Sequence, residues 1–171
     1  MRIIKYSMSK ETFDNQKKYS DTLPKKYMAA GALFFNKHHE LLILHPTYKD
    51  RWEICGGIVE TNESPRSACE REILEEIGLS RSVGRLLCVD YSVNTEHVEN
   101  LQFIFDGGVL TENEIKQIRL AIDEISSFEF IGVESKEDNE KILQRDRLGP
   151  RLIKALEAKK HNKTFYLEKG K

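Results

Sequence analysis

GGIVETNESPRSACEREILEEIGL, residues Gly56 to Leu79, is the stretch that decides the fold. Ser64 followed by Pro65 predicts a helix start, because a hydroxyl side chain caps free N–H groups and proline fits the first helical position. Gly78 predicts the end of that helix, since glycine readily adopts the left-handed conformation that closes helices. The glycine pair before the helix permits a sharp turn. The segment therefore predicts a strand end, a loop and a helix in succession.

Helical periodicity gives the 65–77 helix an apolar face. At about 100° per residue, Cys69, Ile73 and Ile77 share one arc, and Leu74 extends it. Side chains that share one arc lie on one side of a helix. We expect this side, including Leu74, to pack on a sheet.

Three glutamates share a separate arc of the same helix: Glu72, Glu75 and Glu76. Their like charges repel by a few tenths of a kcal/mol per pair. Arg71 lies one turn before Glu75 and pairs well with it, but one guanidinium cannot neutralise three carboxylates. An isolated acidic run is usually a solvated helix face. The spacing also suits Mg²⁺ or Mn²⁺, because Mg²⁺ takes oxygen ligands from carboxylates and substrate phosphates.

The positions around these glutamates resemble the Nudix box. Gly57 is followed by five residues and Glu63, then by seven residues and REILEEIGL from Arg71 to Leu79, so every specified position of the family pattern is matched. If each specified type occurs at roughly 5 to 7%, a chance match is on the order of one in tens of millions. The resemblance extends over roughly residues 27 to 135 and implies a Nudix-type α/β/α sandwich with a mixed central sheet.

The segments on either side of the box agree with an α/β fold. YMAAGALFFN and HELLILH predict a buried hairpin, SVGRLLCVDYSV and VENLQFIFDGGVL two strands, and FEFIGV another strand. ENEIKQIRLAI predicts a short helix, and NEKILQRDRLGPRLIKALEAKK a helix with a kink near Gly149 and Pro150. We expect a polar N-terminal arm or peripheral element over residues 1–26 and a Nudix hydrolase domain with a C-terminal helix over residues 27–171.

The resemblance also implies an activity and a set of site residues. Nudix enzymes typically hydrolyse a nucleoside diphosphate linked to another moiety, using Mg²⁺ or Mn²⁺ and an attacking water. Carried over by position, the metal site comprises Gly56 or Gly57 through a backbone carbonyl, and Glu72, Glu75 and Glu76; Glu63 and Arg71 support it. The general base is Glu72 or Glu76, or a glutamate outside the box. Glu124, before FEFIGV, is the preferred outside candidate over Glu96 and Glu99.

Cys55 stands where many Nudix sequences have proline before the glycine pair. The arrangement from Trp52 to Gly56 resembles the isopentenyl diphosphate isomerase branch of the same fold, in which a cysteine takes part in proton transfer. Two alternatives therefore stay open: an isomerase that uses Cys55, and a non-catalytic nucleotide sensor. The intact box favours the hydrolase, and cysteine in a strand is usually a small buried hydrophobe.

Candidate substrate contacts lie close to the box in sequence. Lys49 and Arg51 precede the box strand and are candidates for a phosphate, and Trp52 and Tyr91 are candidates for stacking on a base. Aromatic residues in strands more often belong to the core. The expected substrate is a small nucleotide or another diphosphate compound.

The whole chain excludes several other classes of function. It has 27 Lys and Arg against 28 Asp and Glu, so no overall positive charge favours nucleic acid. No apolar run approaches the ~20 residues of a membrane span, and we expect no secretory signal. Three cysteines without a CxxC pair fit a reducing compartment, and we expect a cytoplasmic protein. Apolar Ile153 and Leu156 on the last helix are compatible with a homodimer contact.

Overall fold

The computed structural model describes residues 18–93, 98–143 and 148–171. A short helical segment at residues 18–22 precedes the main elements. The strands are β1 Tyr27–Phe35, β2 Leu41–Pro46, β3 Cys55–Ile58, β4 Leu86–Val93, β5 Glu99–Val109, β6 Ile125–Ile131 and β7 Phe165–Glu168. The helices are α1 Pro65–Ile77, α2 Glu112–Gln117, α3 Lys136–Leu143 and α4 Leu148–Lys160. Among the described residues no helix combines the length and the apolar character needed to cross a membrane.

The strands form one mixed sheet in the order β6-β2-β1-β5-β4-β7, with β3 also paired to β1. β1 runs parallel to β5 and β4 parallel to β7, and the other pairs are antiparallel. The predicted hairpin is confirmed: β1 and β2 are antiparallel, with Phe35 opposite Leu41. The side chain of Asn36 closes its turn by accepting hydrogen bonds from the N–H groups of His38 and Glu40.

Helix α1 begins and ends where the sequence predicts. The Ser64 hydroxyl accepts a hydrogen bond from the Ser67 N–H at 3.1 Å, and Pro65 occupies the first turn. Gly78 closes the helix in the left-handed conformation with φ of +72°, and its N–H donates to the Leu74 carbonyl at 3.0 Å. Both signals act locally, through the backbone of the residues that carry them.

The sheet separates two apolar clusters. Helix α1 covers one face with Cys69, Ile73 and Ile77, all fully buried. Helix α4 covers the other face, where Leu152 packs with residues of β1, β2 and β5. These two layers confirm the predicted α/β/α sandwich. The prediction that Leu74 packs on the sheet is wrong. Leu74 is 52% exposed, because it lies at the edge of the apolar arc, beyond the contact with the sheet.

The C-terminal region differs from the single kinked helix that the sequence predicts. The structure has two helices, α3 and α4, and the residues between them at 144–147 lie outside the described ranges. Pro150 lies in the first turn of α4, where its missing N–H costs no hydrogen bond. Strand β7 was not predicted. It adds an edge to the sheet beside β4 and buries Leu167.

Candidate active site

The glycine pair in β3 lets two parts of the chain approach more closely than side chains would permit. Gly56 has φ of +147°, and a Cβ there would lie 2.2 Å from the carbonyl oxygen of Ala30 in β1. A Cβ on Gly57 would lie 2.3 Å from Oε1 of Glu72. The Glu72 carboxylate therefore rests directly on the Gly57 backbone, and the pair brings β1, β3 and α1 together.

Arg71 ties the loop before α1 to the glutamates of the helix. Its Nε and Nη2 donate to the two oxygens of Glu63 at 3.0 and 3.1 Å, and Nη2 also donates to the Ile58 carbonyl at 3.0 Å. Its Nη1 donates to Oε1 of Glu72 at 2.8 Å and to Oε2 of Glu75 at 2.7 Å. The hydrogen bonds between Arg71 and Glu63 raise the pKa of Arg71 and lower the pKa of Glu63. Arg71 thus pairs with Glu72 as well as with Glu75.

The three helix glutamates differ in exposure and in pKa. Glu76 is only 9% exposed and accepts a hydrogen bond from the Gly56 N–H at 2.8 Å. Burial raises the pKa of Glu76 to about 7, against the opposing effect of hydrogen bonds from Cys55 and Gly56. Burial also raises the pKa of Glu72, and the neighbouring charge of Glu75 adds to the shift. Glu75 itself has a 54% exposed side chain. Because burial disfavours ionised carboxylates, negative charge at this partly buried site is energetically unfavourable.

The loop after α2 brings Glu124 towards the box. The predicted helix over 112–122 ends at Gln117, and the chain then crosses the C-terminal end of α1, where the Ala121 N–H donates to the Glu76 carbonyl at 3.1 Å. The Thr47 N–H holds the far end of the loop by donating to the Glu124 carbonyl at 2.7 Å. The charge of Glu124 contributes to the raised pKa of Glu72. Glu124 is thus brought near the box.

Glu53 belongs to the same group, although the sequence argument did not single it out. Its negative charge contributes to the raised pKa of Glu76. Strand periodicity could have identified Glu53 from the sequence. In the extended run RWEIC, Glu53 lies two residues before Cys55, and alternate side chains of a strand share a face. Because Cys55 packs against the α1 side, Glu53 is directed to that side as well.

The other candidate glutamates lie elsewhere or outside the described residues. Glu99 in β5 pairs with Lys26 at 2.5 Å and accepts a hydrogen bond from the Tyr91 hydroxyl. The neighbour Ser92 lines the cleft described below, so strand alternation turns Tyr91 to the opposite face of the sheet. Glu96 lies outside the described residues. Tyr91 therefore does not line the cleft, and the described contacts of Glu99 are with Lys26 and Tyr91.

A cleft of about 340 Å³ adjoins the glycine pair. Its charged lining residues are three cations and one carboxylate: Lys49, Arg51, Arg151 and Glu53. Lys49 and Arg51 both pair with Glu53, at 2.6 and 3.1 Å. Trp52 also lines the cleft and packs edge-on against His45, with ring centroids 5.0 Å apart. Arg51 and Trp52, predicted as substrate contacts, thus both lie in a cleft that meets the glycine pair.

A family model described as the NUDIX domain matches residues 25–150, well over half of the chain, including the whole glycine, loop and helix arrangement. The chain belongs to the NUDIX family. The predicted resemblance is confirmed at the level of the family and of its fold.

Curated relatives match only part of this NUDIX chain. Diphosphoinositol polyphosphate phosphohydrolase 2 from Rattus norvegicus is 37% identical over 71 residues, which is 40% of this chain and 40% of the relative. Diphosphoinositol polyphosphate phosphohydrolase 3-alpha from Mus musculus is 41% identical over 63 residues, covering 35% of this chain and 38% of the relative. The chain thus spans about two fifths of the length of the curated relatives that it matches.

Solved structures resemble this NUDIX chain over most of its length. The structure described as UDP-X diphosphatase has a TM-score of 0.69 at 19% identity, covering 94% of this chain and 76% of the other. The MutT protein from Methanosarcina mazei Go1 has a TM-score of 0.63 at 22% identity, covering 83% of this chain and 99% of the other. The NUDIX domain of Shewanella oneidensis NrtR, solved with ADP ribose, has a TM-score of 0.64 at 12% identity, covering 89% and 99%. At these identities the likeness establishes the fold alone.

The donor set of this NUDIX site fits a hard divalent cation. Within the described residues no three His, Cys, Asp or Glu side chains form a ready-made cation cluster. Arg71 holds Glu72 and Glu75, and the Gly56 N–H holds Glu76. The donors are nevertheless carboxylate oxygens, which Mg²⁺ and Mn²⁺ prefer. Burial raises the pKa of Glu72 and Glu76, their neighbouring charges add to the shift, and Gly57 leaves no side chain between Glu72 and β3.

Cys55 lies beneath this site and is 1% exposed. Burial raises the pKa of its thiol well above the usual value, and the nearby charge of Glu76 adds to the shift. The thiol therefore stays protonated and donates a hydrogen bond to Glu76. This is the packing expected of a buried strand residue.

Proposed function

We propose that the protein is a Mg²⁺- or Mn²⁺-dependent hydrolase that cleaves a pyrophosphate bond in a nucleoside diphosphate linked to another moiety. One observation carries the proposal: three carboxylates crowd on one helix face, two of them with raised pKa, beside a glycine pair that opens onto a cationic cleft. Crowded carboxylates repel one another unless a cation joins them, and a diphosphate repels attacking water unless its charge is neutralised.

The carboxylates Glu72, Glu75 and Glu76, with a backbone carbonyl of Gly56 or Gly57, would hold the cation. When bound, the cation neutralises the diphosphate and favours attack of water on phosphorus. Arg71 keeps Glu72 and Glu75 in place by donating a hydrogen bond to each, while its bonds to Glu63 hold the loop.

The general base is proposed to be one of three carboxylates that surround the site: Glu72, Glu76 or Glu124. A pKa near 7 suits Glu76 to take a proton from water at neutral pH. Glu124 is the candidate base outside the box, and its charge contributes to the raised pKa of Glu72. In the cleft, Lys49 and Arg51 would contact phosphate oxygens, and Trp52 would contact the attached moiety.

A second substrate class has its own support. The curated relatives, 37 to 41% identical over the matched segments, are diphosphoinositol polyphosphate phosphohydrolases. Their names describe a diphosphate attached to a phosphorylated inositol rather than to a nucleoside. A cleft with three cationic side chains suits such a polyanion as well.

Two further readings remain alternatives to the hydrolase. An isomerase would need Cys55 in contact with substrate, whereas the thiol is buried and protonated. A sensor that binds ligand without turnover would be expected to have lost box carboxylates, and all of them are present. Both alternatives predict no release of phosphate or nucleoside monophosphate.

The proposal extends to the organisation of the chain. We place one NUDIX hydrolase domain over residues 27–171, because β7 pairs with β4 and α4 packs on the sheet beyond the 25–150 family match. The polar arm over residues 1–26 stays a prediction, and its residues 1–17 lie outside the described ranges. A cytoplasmic location, a homodimer and the absence of nucleic-acid and membrane partners also stay predictions.

A panel hydrolysis assay tests the proposed reaction. Chelator-treated protein is incubated with Mg²⁺ or Mn²⁺ and with nucleotide sugars, ADP-ribose, dinucleoside polyphosphates, nucleoside triphosphates and diphosphoinositol polyphosphates. Phosphate and nucleoside monophosphate are followed, with Glu76→Gln as the inactive control and Cys55→Ala as the test for the isomerase. Metal-dependent turnover that Glu76→Gln abolishes and Cys55→Ala retains supports the hydrolase. No hydrolysis of any compound in the panel, or turnover that releases neither phosphate nor a nucleoside monophosphate, contradicts it.

A further inference from the structure

We propose that Arg151 binds a second phosphoryl group of the substrate, at the part of the molecule that lies away from the pyrophosphate to be cleaved. The inference rests on the proposed function, because it takes the cleft beside the glycine pair to be the substrate cleft. It adds a specificity residue outside the box and narrows the substrate to one that carries phosphate at two separate places.

Arg151 belongs to the opposite layer of the fold from the box glutamates. It lies in the first turn of α4, which covers the other face of the sheet from α1. Its side chain is 12% exposed, yet it lines the same cleft as Gly56 and Gly57. A ligand whose pyrophosphate lies at the glycine pair would therefore meet Arg151 with another of its groups.

The buried carboxylate of Asp90 fixes the orientation of the Arg151 guanidinium. Its Nε donates to Oδ2 of Asp90 at 2.8 Å, and Asp90 is 1% exposed. The other oxygen of Asp90 accepts a hydrogen bond from the Gly170 N–H at 2.9 Å. Gly170 has φ of +78°, and a Cβ there would lie 2.7 Å from Cβ of Pro150, so the segment after β7 lies tightly against the start of α4. Asp90 is thus held at both oxygens and aligns Arg151.

The terminal nitrogens of Arg151 remain open for a ligand. Among the described residues they have no hydrogen-bond acceptor, and they are not among the buried polar atoms that lack a partner. They therefore reach solvent, and the cleft is the space that Arg151 lines. A guanidinium anchored through Nε presents two parallel N–H groups, which match two oxygens of a phosphate.

The charge of the cleft supports an anionic ligand rather than a neutral sugar or base at this end. Lys49 and Arg51 both pair with Glu53, and all three side chains belong to the lining of the cleft. Arg151 adds a third cation to the same lining. A phosphoryl group satisfies the open donors of Arg151 and lies within the field of the other two side chains.

The test uses binding without metal or turnover. Trp52 is the only tryptophan of the chain and lines the cleft, so its fluorescence reports on an occupant. Inorganic tripolyphosphate is titrated in EDTA into the wild type, Arg151→Gln, Arg151→Lys and the control Lys154→Gln. Lys154 lies on the same helix, pairs with Glu157 on its surface and is not among the cleft residues. Melting curves report whether each variant is folded.

The proposal expects saturable binding by the wild type, about tenfold weaker binding by Arg151→Gln, and binding by Lys154→Gln within twofold of the wild type. Arg151→Gln leaves Asp90 buried without its partner and is the variant at risk of misfolding. Arg151→Lys keeps a positive charge beside Asp90, loses the two-pronged geometry, and is expected to weaken binding at least threefold. No saturable binding by the wild type, an unchanged affinity in Arg151→Lys, or equal weakening in Lys154→Gln would overturn the proposal. Failure of the hydrolysis panel leaves this titration unaffected, so the two proposals fail separately.

Discussion

Replacing Gly57 by alanine tests the contact between β3 and the helix glutamates. The new Cβ would lie 2.3 Å from Oε1 and 2.4 Å from Cδ of Glu72. Gly56→Ala is the matched comparison in the neighbouring position, because its Cβ would meet the backbone oxygen of Ala30 at 2.2 Å. The new Cβ of Gly57→Ala thus collides with the far end of the Glu72 side chain, whereas that of Gly56→Ala collides with the backbone.

The two collisions lead to opposite expectations. The Glu72 carboxylate must retreat by about 1 Å to reach an ordinary contact of 3.4 Å, and a misplacement of that size in an active site costs on the order of 10²-fold in rate. Since a flexible side chain absorbs the shift, Gly57→Ala should keep its stability within about 1 kcal/mol. Gly56→Ala combines a backbone clash with φ of +147°, and we expect a loss of about 2 to 6 kcal/mol.

Thermal unfolding and metal-dependent hydrolysis, measured on the same preparations, separate the two effects. Gly57→Ala is expected to melt near the wild type and to lose about 10²-fold in kcat. Gly56→Ala is expected to melt at least about 4 °C lower. A Gly57→Ala enzyme with wild-type kcat, or one destabilised as strongly as Gly56→Ala, would refute the contact between Gly57 and Glu72 as the reason for the glycine.

Three other predictions follow from the site. Arg71→Ala removes the hydrogen bonds that join the loop to α1 and should lower the free energy of unfolding by about 2 to 3 kcal/mol in denaturant titration; an unchanged midpoint would contradict this. Burial raises the pKa of Glu76 from 4.5 to about 7, so in metal-free buffer its contribution to stability is complete below pH 4.5 and is lost as the pH rises through 7. Glu76→Gln should therefore be more stable than the wild type at pH 8, on the order of 3 kcal/mol, with little difference at pH 4, and parallel stability curves would refute the buried carboxylate. Glu124→Gln should lower kcat at least tenfold while the adjacent Asp123→Asn stays within twofold, and equal kcat values for both would remove Glu124 from the site.

Local signals predicted the elements that hold the box. The Ser64 and Pro65 cap, the Gly78 stop and the arc of Cys69, Ile73 and Ile77 act within one helix, so neighbouring residues suffice to recognise them. The spacing of the box likewise lies within one continuous segment, and it led to the right family.

Features that depend on distant segments were missed. Strand β7 is four residues long among lysines and becomes recognisable only through its pairing with β4. Asp90 and Arg151 are 61 residues apart in the chain, so no spacing rule links them. The predicted helix after Thr111 ends early because the following loop finds hydrogen-bond partners on α1 instead.

The most direct test of the proposed metal site is a titration of Mn²⁺ into chelator-treated protein, with free Mn²⁺ followed by electron paramagnetic resonance. We predict saturable binding by the wild type and by Asp123→Asn, and at least tenfold weaker binding by Glu72→Gln and by Glu76→Gln. If both glutamine variants bind Mn²⁺ as tightly as the wild type, the crowded carboxylates of α1 do not hold the cation and the proposed mechanism is wrong.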